Sequence, residues 1–301
     1  MSIVNVTALV SVLSLAALSP AFAQAQTSAA PAPAPAASPK PAVVAANPVV
    51  FTHIHLTVKD VAATKKLLVE GLSGAAATAG SVDAVKFPGL LVLLHKGDPK
   101  GGSKGSTVSQ IGLEVKDLTK VVEGLRASKA KMVTREETNM VYTVLADIAT
   151  IPDRQTTSAV VQTPDGVSIR LVENKKATAP VSFGYIHFAP VNLGDALDWY
   201  SKAFGAKTGD RGFGFQSLDL GKQPSALMFT LAPDKVDGTE GRSLGRIGFE
   251  VRGAALLAQK IQRLGGKIVT PAGKSAATGV TTVVVSDPWG TLIELTEGLK
   301  L

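Results

Sequence analysis

Two of the four histidines, His53 and His55, stand two residues apart in the run "FTHIHLTV", residues 51–58. Successive side chains of a β-strand point to opposite faces. Both imidazoles therefore share a face with Phe51 and Thr57, while Ile54, Leu56 and Val58 line the other. Two imidazoles side by side on a strand can chelate one transition-metal ion. A metal pocket needs three or more donors, however, and no third is evident near this run. The alternative is that His53 and His55 hydrogen-bond within a polar, partly wet sheet face. His187 holds the matching place in a second run, "YIHF", residues 185–188. Glu114 and Glu250 recur at one place in "IGLEV" and "IGFEV". They are candidates for a general base or a carboxylate ligand, against the simpler reading of solvated strand-end charges. His95 closes "LLVLLHKGD" beside a turn and reads as a strand-end residue. The chain has no cysteine, which excludes thiolate ligands, a cysteine nucleophile and disulfides. "GDPKGGSKGST", residues 97–107, lacks the strand–loop–helix setting of a phosphate cradle and reads as a connection. No Ser-His-Asp order is present, so the catalytic residues stay open.

The elements that must carry these groups form repeats. "SQIGLEVKDL" (109–118) returns as "GRIGFEVRGA" (245–254), "HIHLTVKDV" (53–61) as "YIHFAPVNL" (185–193), and "TPDGVSIRLVE" (163–173) as "DPWGTLIELTE" (287–297). Each half divides again. A strand run leads to a helical run and then to further strands, and Leu118, Val121, Val122 and Leu125 show the helical spacing. The "LGDALDWYSKAFGA" helix ends on a glycine suited to a C-cap, and its Trp199 and Tyr200 sit at core spacing. The unit is β-α-β-β-β, four times over, which makes the fold class α+β. On each leading strand one face is aliphatic: Ile54, Leu56, Val58; Ile111, Leu113, Val115; Ile186, Phe188; Ile247, Phe249, Val251. The other face is polar, with His53 and His55, Gln110 and Glu114, Tyr185 and His187, Arg246 and Glu250. On the closing strands Arg170, Glu294 and Thr296 hold the equivalent polar places.

This succession resembles the vicinal oxygen chelate superfamily, which includes glyoxalase I, the bleomycin-resistance proteins and the extradiol dioxygenases. The motifs that carry the resemblance are the openings "HIHLTVKDV" and "YIHFAPVNLGDALDWYSKAFGA", the mid-domain "IGLEV" and "IGFEV", and the closing "DPWGTLIELTEG". It implies four modules forming two half-open mixed β-barrels, residues 51–174 and 181–299, each a cup with helices outside. It also implies a metal held by a leading-strand His, a mid-domain His and a closing-strand Glu, with Fe, Mn, Zn or Ni as the ion. Taken half by half, those places hold His53, Gln110 and Arg170, then Tyr185, Arg246 and Glu294. Neither half keeps the set. Arginine has no lone pair to donate. Arg246 is therefore expected to reach toward Glu294 in place of a metal, and Arg170 to lie near His53 and Gln110 and draw an anionic ligand. His53, His55, His187 and Glu294 remain an incomplete set of metal candidates, with a metal-free cup as the alternative. Gln110, Arg170, Tyr185 and Arg246 are the ligand-binding candidates.

The formal charge of +7 comes from dispersed residues without a dense basic block, which argues against a nucleic-acid partner. "VTALVSVLSLAALSPAFA" ends in the small-x-small pattern of a signal-peptidase site at Ala21–Ala23. Residues 1–23 thus read as a signal peptide, with no stable membrane insertion after cleavage and a periplasmic or secreted destination. Residues 24–48 are Ala/Pro-rich and read as a disordered linker. The expected function is binding of a small organic ligand in the cups. The alternative is a metal-dependent lyase or dioxygenase acting on a substrate with neighbouring oxygens. Oligomeric state is left open.

Overall fold

A computed structural model describes residues 49–133, 144–145, 148–151, 156–210, 216–221, 223–232 and 234–299. The expected signal peptide and linker lie outside these residues. The first module comprises β1 (Val50–Val58), α1 (Val61–Lys66, continued by a π-helical turn at Leu67–Gly71), β2 (Ala75–Ala79), β3 (Val82–Phe87) and β4 (Leu90–Lys96). The second comprises β5 (Val108–Val115), α2 (Leu118–Ala127), β6 (Lys131–Met132), β7 (Val144–Leu145), β8 (Ile148–Ile151), β9 (Thr156–Gln162) and β10 (Ser168–Glu173). The third holds β11 (Val181–Phe188), α3 (Leu193–Phe204), β12 (Lys207–Asp210), β13 (Gln216–Leu220) and β14 (Gln223–Phe229). The fourth holds β15 (Leu244–Glu250), α4 (Ala254–Arg263), β16 (Lys267–Lys274), β17 (Thr281–Ser286) and β18 (Leu292–Glu297). Among the described residues, no helix is long and apolar enough to cross a membrane.

The helices start where short polar side chains satisfy the free N–H groups of a first turn. Asp60, Asp117 and Asn192 accept from Ala63, Lys120 and Asp195 N–H. α4 starts at Gly253, which has no capping side chain. Glu297 of β18 accepts from Gly253 and Ala254 N–H instead, at 2.5 and 2.6 Å. α3 ends at Gly205 with φ 69°, the left-handed C-cap expected there. Trp199 and Tyr200 pack as their spacing implies. The indole N–H donates to Leu264 C=O at 2.8 Å, and the phenol donates to Asp287 at 2.9 Å. Asp287 also accepts from Trp289 and Thr291 N–H, which closes the "DPWG" turn.

The strands form two mixed sheets. One runs β16-β17-β18-β15-β1-β4-β3-β2, and the other β12-β13-β14-β11-β5-β10-β9-β8-β7 with β6 beside β9. The first sheet is built from modules one and four, the second from modules two and three. Cups made from consecutive modules are therefore corrected: each cup takes one module from each sequence half. The seams are antiparallel. β1 meets β15 with Ile54 opposite Ile247, and β5 meets β11 with Ile111 opposite Ile186. Pairing leading strands with each other leaves β4 and β18, or β10 and β14, to flank them in parallel.

The aliphatic faces read from the sequence are buried. Ile54, Leu56, Leu113, Ile186, Ile247 and Phe249 join Leu68, Leu125, Tyr200 and Ile261 of the helices in one core. One face assignment is corrected. The β1–β15 register shifts between Phe51 and His53, so Phe51 lies opposite Phe249 while His53 lies opposite Gly248. A bulge of one residue reverses the alternation locally. Phe51 is buried in the core, stacked on Phe183 at 4.9 Å and edge-on to Phe249 at 5.4 Å.

Candidate functional site

The sheet of modules one and four curls around a cavity of about 320 Å³, cup A, lined by His53, His55, His95, Arg246 and Glu294 among others. His53 and His55 project from β1, Arg246 from β15 and Glu294 from β18. The same Glu294 Oε2 lies 2.5 Å from His55 Nε2, 3.8 Å from His53 Nε2 and 3.1 Å from Arg246 Nη1. Donor atoms of His53, His55 and Glu294 all fall within 4.8 Å of one another. The third donor that the sequence withholds is thus Glu294, supplied from the far end of the chain. Arg246 reaches Glu294 as expected. Arg170 does not lie near His53, because the two belong to different sheets.

The outer nitrogens of the two imidazoles are held. His53 Nδ1 is 2.9 Å from Thr52 Oγ1, and His55 Nδ1 is 2.9 Å from His95 Nε2. His95 therefore faces the cup instead of ending a strand at the surface. Its ring stacks on His55 at 5.1 Å. The sequence conceals this because both faces of β4 are apolar: Leu91 and Leu93 form a small cluster with Ala84, apart from the main core. Only His95 marks the inward parity.

Electrostatics fix the charge states. Burial pushes the His55 pKa down to about 4, against the pull of the Glu294 carboxylate. Burial likewise lowers His95, helped by Arg246. Burial alone would raise Glu294, but the His53 and His55 contacts outweigh it and hold the carboxyl well below its ordinary value. At neutral pH a carboxylate thus faces the neutral rings of His55 and His95. That is the state a metal ligand set requires. His55 Nε2 lies 2.5 Å from Oε2, and this buried nitrogen has no further partner among the described residues. Two imidazoles and one carboxylate whose donor atoms converge this closely fit a divalent cation. Arg246 is compatible with it, because a carboxylate has about four lone-pair sites.

The sheet of modules two and three forms cup B, a cavity of about 620 Å³ lined by Gln110, Arg170 and His187. Pair for pair it repeats cup A. His187 lies opposite Gln110 as His55 lies opposite Arg246, and Tyr185 lies opposite Gly112 as His53 lies opposite Gly248. Arg170 sits beside Gly112 as Glu294 sits beside Gly248. Hydroxyls hold both nitrogens of His187, Ser109 at 2.7 Å and Thr230 at 3.0 Å. Burial, reinforced by Arg170, pushes its pKa down to about 3. His187 is therefore apart from the His53, His55 and Glu294 cluster. Glu114 and Glu250 line neither cavity. Glu114 accepts from the Asn174 amide at 2.8 Å, and Glu250 accepts from Thr296 and from Gly298 N–H. These are strand-end clamps.

Gly112 and Gly248 are functional positions that sequence reasoning passes over. A Cβ on Gly248 would stand 2.0 Å from the His53 ring, and one on Gly112 would stand 2.3 Å from the Tyr185 ring. Each glycine is the floor on which the facing ring lies. The shared "IG" of "IGLEV" and "IGFEV" is the signal that could have found them.

With this geometry in hand, residues 182–295 match the family model of the Glyoxalase/Bleomycin resistance protein/Dioxygenase superfamily. Glyoxalase I from Zea mays superposes with a TM-score of 0.66 at 16% identity, over 83% of this chain and 93% of that one. A candidate dioxygenase from Bacillus subtilis subsp. subtilis str. 168 gives 0.62 at 12% identity, over 85% and 87%. No curated protein matches the sequence. The chain has the vicinal oxygen chelate fold, and its 182–295 segment matches that superfamily's model.

If Gly248 seats His53, Gly248→Ala should force the ring to move. Overpacking of this kind costs about 1–3 kcal/mol. Urea denaturation should show that loss, while Gly124→Ala, which has open space at its Cβ, should be neutral or stabilising. Equal effects would contradict the assignment.

Proposed function

We propose that the protein is a divalent-metal-dependent enzyme of the glyoxalase/dioxygenase type, acting on a small substrate with two neighbouring oxygens. The observation that carries this reading is the convergence of His53 Nε2, His55 Nε2 and Glu294 Oε2 on one wall of cup A. It favours the enzymatic alternative over metal-free binding in this cup. Two histidines and a carboxylate with open positions form a ligand set suited to Fe(II) and related ions. A bound ion would act as a Lewis acid toward substrate oxygens.

The chain's own residues prepare the site. With a metal bound, His95 Nε2, 2.9 Å away, would accept the proton of His55 Nδ1 and leave Nε2 as the ligating nitrogen. Thr52 Oγ1 would do the same for His53. Such outer partners fix ring orientation and tautomer. Arg246 keeps a fixed positive charge at the rim, half-buried, with its Nε unpartnered among the described residues. It can bind an anionic substrate oxygen and orient it toward the ligand wall. The volume of the cup restricts the substrate to small molecules.

Purified protein analysed by elemental mass spectrometry should carry about one transition-metal ion per chain after reconstitution. Mn(II), Ni(II) or Zn(II) should raise the melting temperature, since ligands that bind only the native state stabilise it. His55→Ala and Glu294→Gln should lose both responses while remaining folded. Full metal retention in both variants would contradict the reading.

Export is part of the same proposal, resting on the apolar segment and the Ala21–Ala23 pattern. Amino-terminal sequencing of the protein made in its native host should begin at Gln24. A mature chain that begins at Met1 would contradict export by this signal.

A further inference from the structure

The geometry points to cup B as a second binding site, for a small organic acid whose carboxylate meets Arg170 and whose apolar body lies against Val133 and Leu231. It is independent of the metal reading of cup A.

The argument begins with an inversion of charge on an equivalent frame. Where cup A has Glu294 on its closing strand, cup B has Arg170 at the same register. Arg170 is only 6% exposed and lines the cavity. A buried guanidinium loses hydration, which is costly unless other groups restore its interactions. Gln110 fixes it: Arg170 Nε donates to Gln110 Oε1 at 2.9 Å, and Nη1 lies 3.5 Å from Ser158 Oγ. Gln110 holds the place that Arg246 holds in cup A, so the two sites exchange the cation and its partner. The exchange leaves cup B with no donor set for a metal among its described residues and with a fixed positive wall.

The rest of the lining agrees. Lys104, Lys131 and Lys235 add positive charge around the cavity, against the single carboxylate of Asp234 among the described lining residues. Low-dielectric walls of one sign concentrate counter-ions. The cavity, about 620 Å³, is roughly twice the volume of cup A and larger than an inorganic anion needs. Part of its wall is apolar, with Val133, Val160 and Leu231. Leu231 is 59% exposed, one of four large apolar side chains left to water among the described residues. Cationic and apolar groups in one concavity define an amphipathic anion. A monocarboxylate with a compact apolar body satisfies both.

Benzoate and hexanoate are suitable probes, with benzyl alcohol and inorganic phosphate as partial mimics. Calorimetric titration at constant ionic strength should show saturable binding of at least one carboxylate, with benzyl alcohol and phosphate at least about tenfold weaker. Charge-assisted hydrogen bonds are worth about 1.5–3 kcal/mol, so Arg170→Met should weaken binding at least about tenfold. Lys235→Glu is an exposed change that leaves the fold intact, and it should weaken binding several-fold even if Arg170→Met does not fold. Absence of saturable carboxylate binding would overturn the inference. So would unchanged affinity in Lys235→Glu.

Discussion

The antiparallel seam between β1 and β15 is the constraint on which the site depends. It joins the first and last modules, so residues more than two hundred positions apart in the chain share one sheet. Ile54 opposite Ile247 sets the register, and the buried aliphatic face makes that register costly to slip, since a one-residue shift would turn every side chain over. With the register fixed, His53 falls over Gly248 and His55 falls opposite Arg246. β18, parallel to β15, then delivers Glu294 beside Gly248. No local motif could assemble this group. The seam brings in the carboxylate, the glycine makes room for the imidazole, and the bulge at Thr52 lets Phe51 return to the core without displacing His53.

A second seam, β5 against β11, repeats the arrangement and shows what the frame permits. The backbone of cup B can seat a ring over a glycine and a polar group on the closing strand, as in cup A. Only the side chains differ. A carboxylate among imidazoles suits a cation, and a guanidinium held by a glutamine suits an anion. The repeated frame thus holds two geometrically similar cups, one built around Glu294 and the other around Arg170. Burial sharpens both, because it strengthens direct interactions and penalises unpaired charge. The same burial holds His187 neutral between Ser109 and Thr230, so Arg170 is the charge on the floor of cup B.

Much of the fold was legible in the sequence. The period-two alternation of the leading strands, the helical spacing after each, and the "DPWG" turn all report local physics, and local physics set those elements. Which strand pairs with which was not legible. Consecutive modules and exchanged modules bury the same aliphatic residues, so periodicity cannot separate them. That ambiguity is why His53 and Glu294 were assigned to different incomplete sites. His95 was obscured because Leu91 and Leu93, on its own face, are as apolar as the core face. The expected approach of Arg246 to Glu294 was legible because both belong to one module. Phe51 was misplaced because a bulge leaves no trace in alternation.

The account rests on the exchange of modules, and one cross-link tests it directly. The chain has no cysteine, so a pair introduced at Val50 and Glu250, register partners across the seam, would have no competing thiol. Strand neighbours at such separations can form a disulfide when their geometry permits. Mild oxidation of the Val50→Cys/Glu250→Cys chain should give an intramolecular bond, seen as faster migration on a non-reducing gel at monomer mass and confirmed by peptide mapping. If these positions stay reduced while a control pair placed between modules one and two closes readily, the cups are built from consecutive modules and the site described here does not exist.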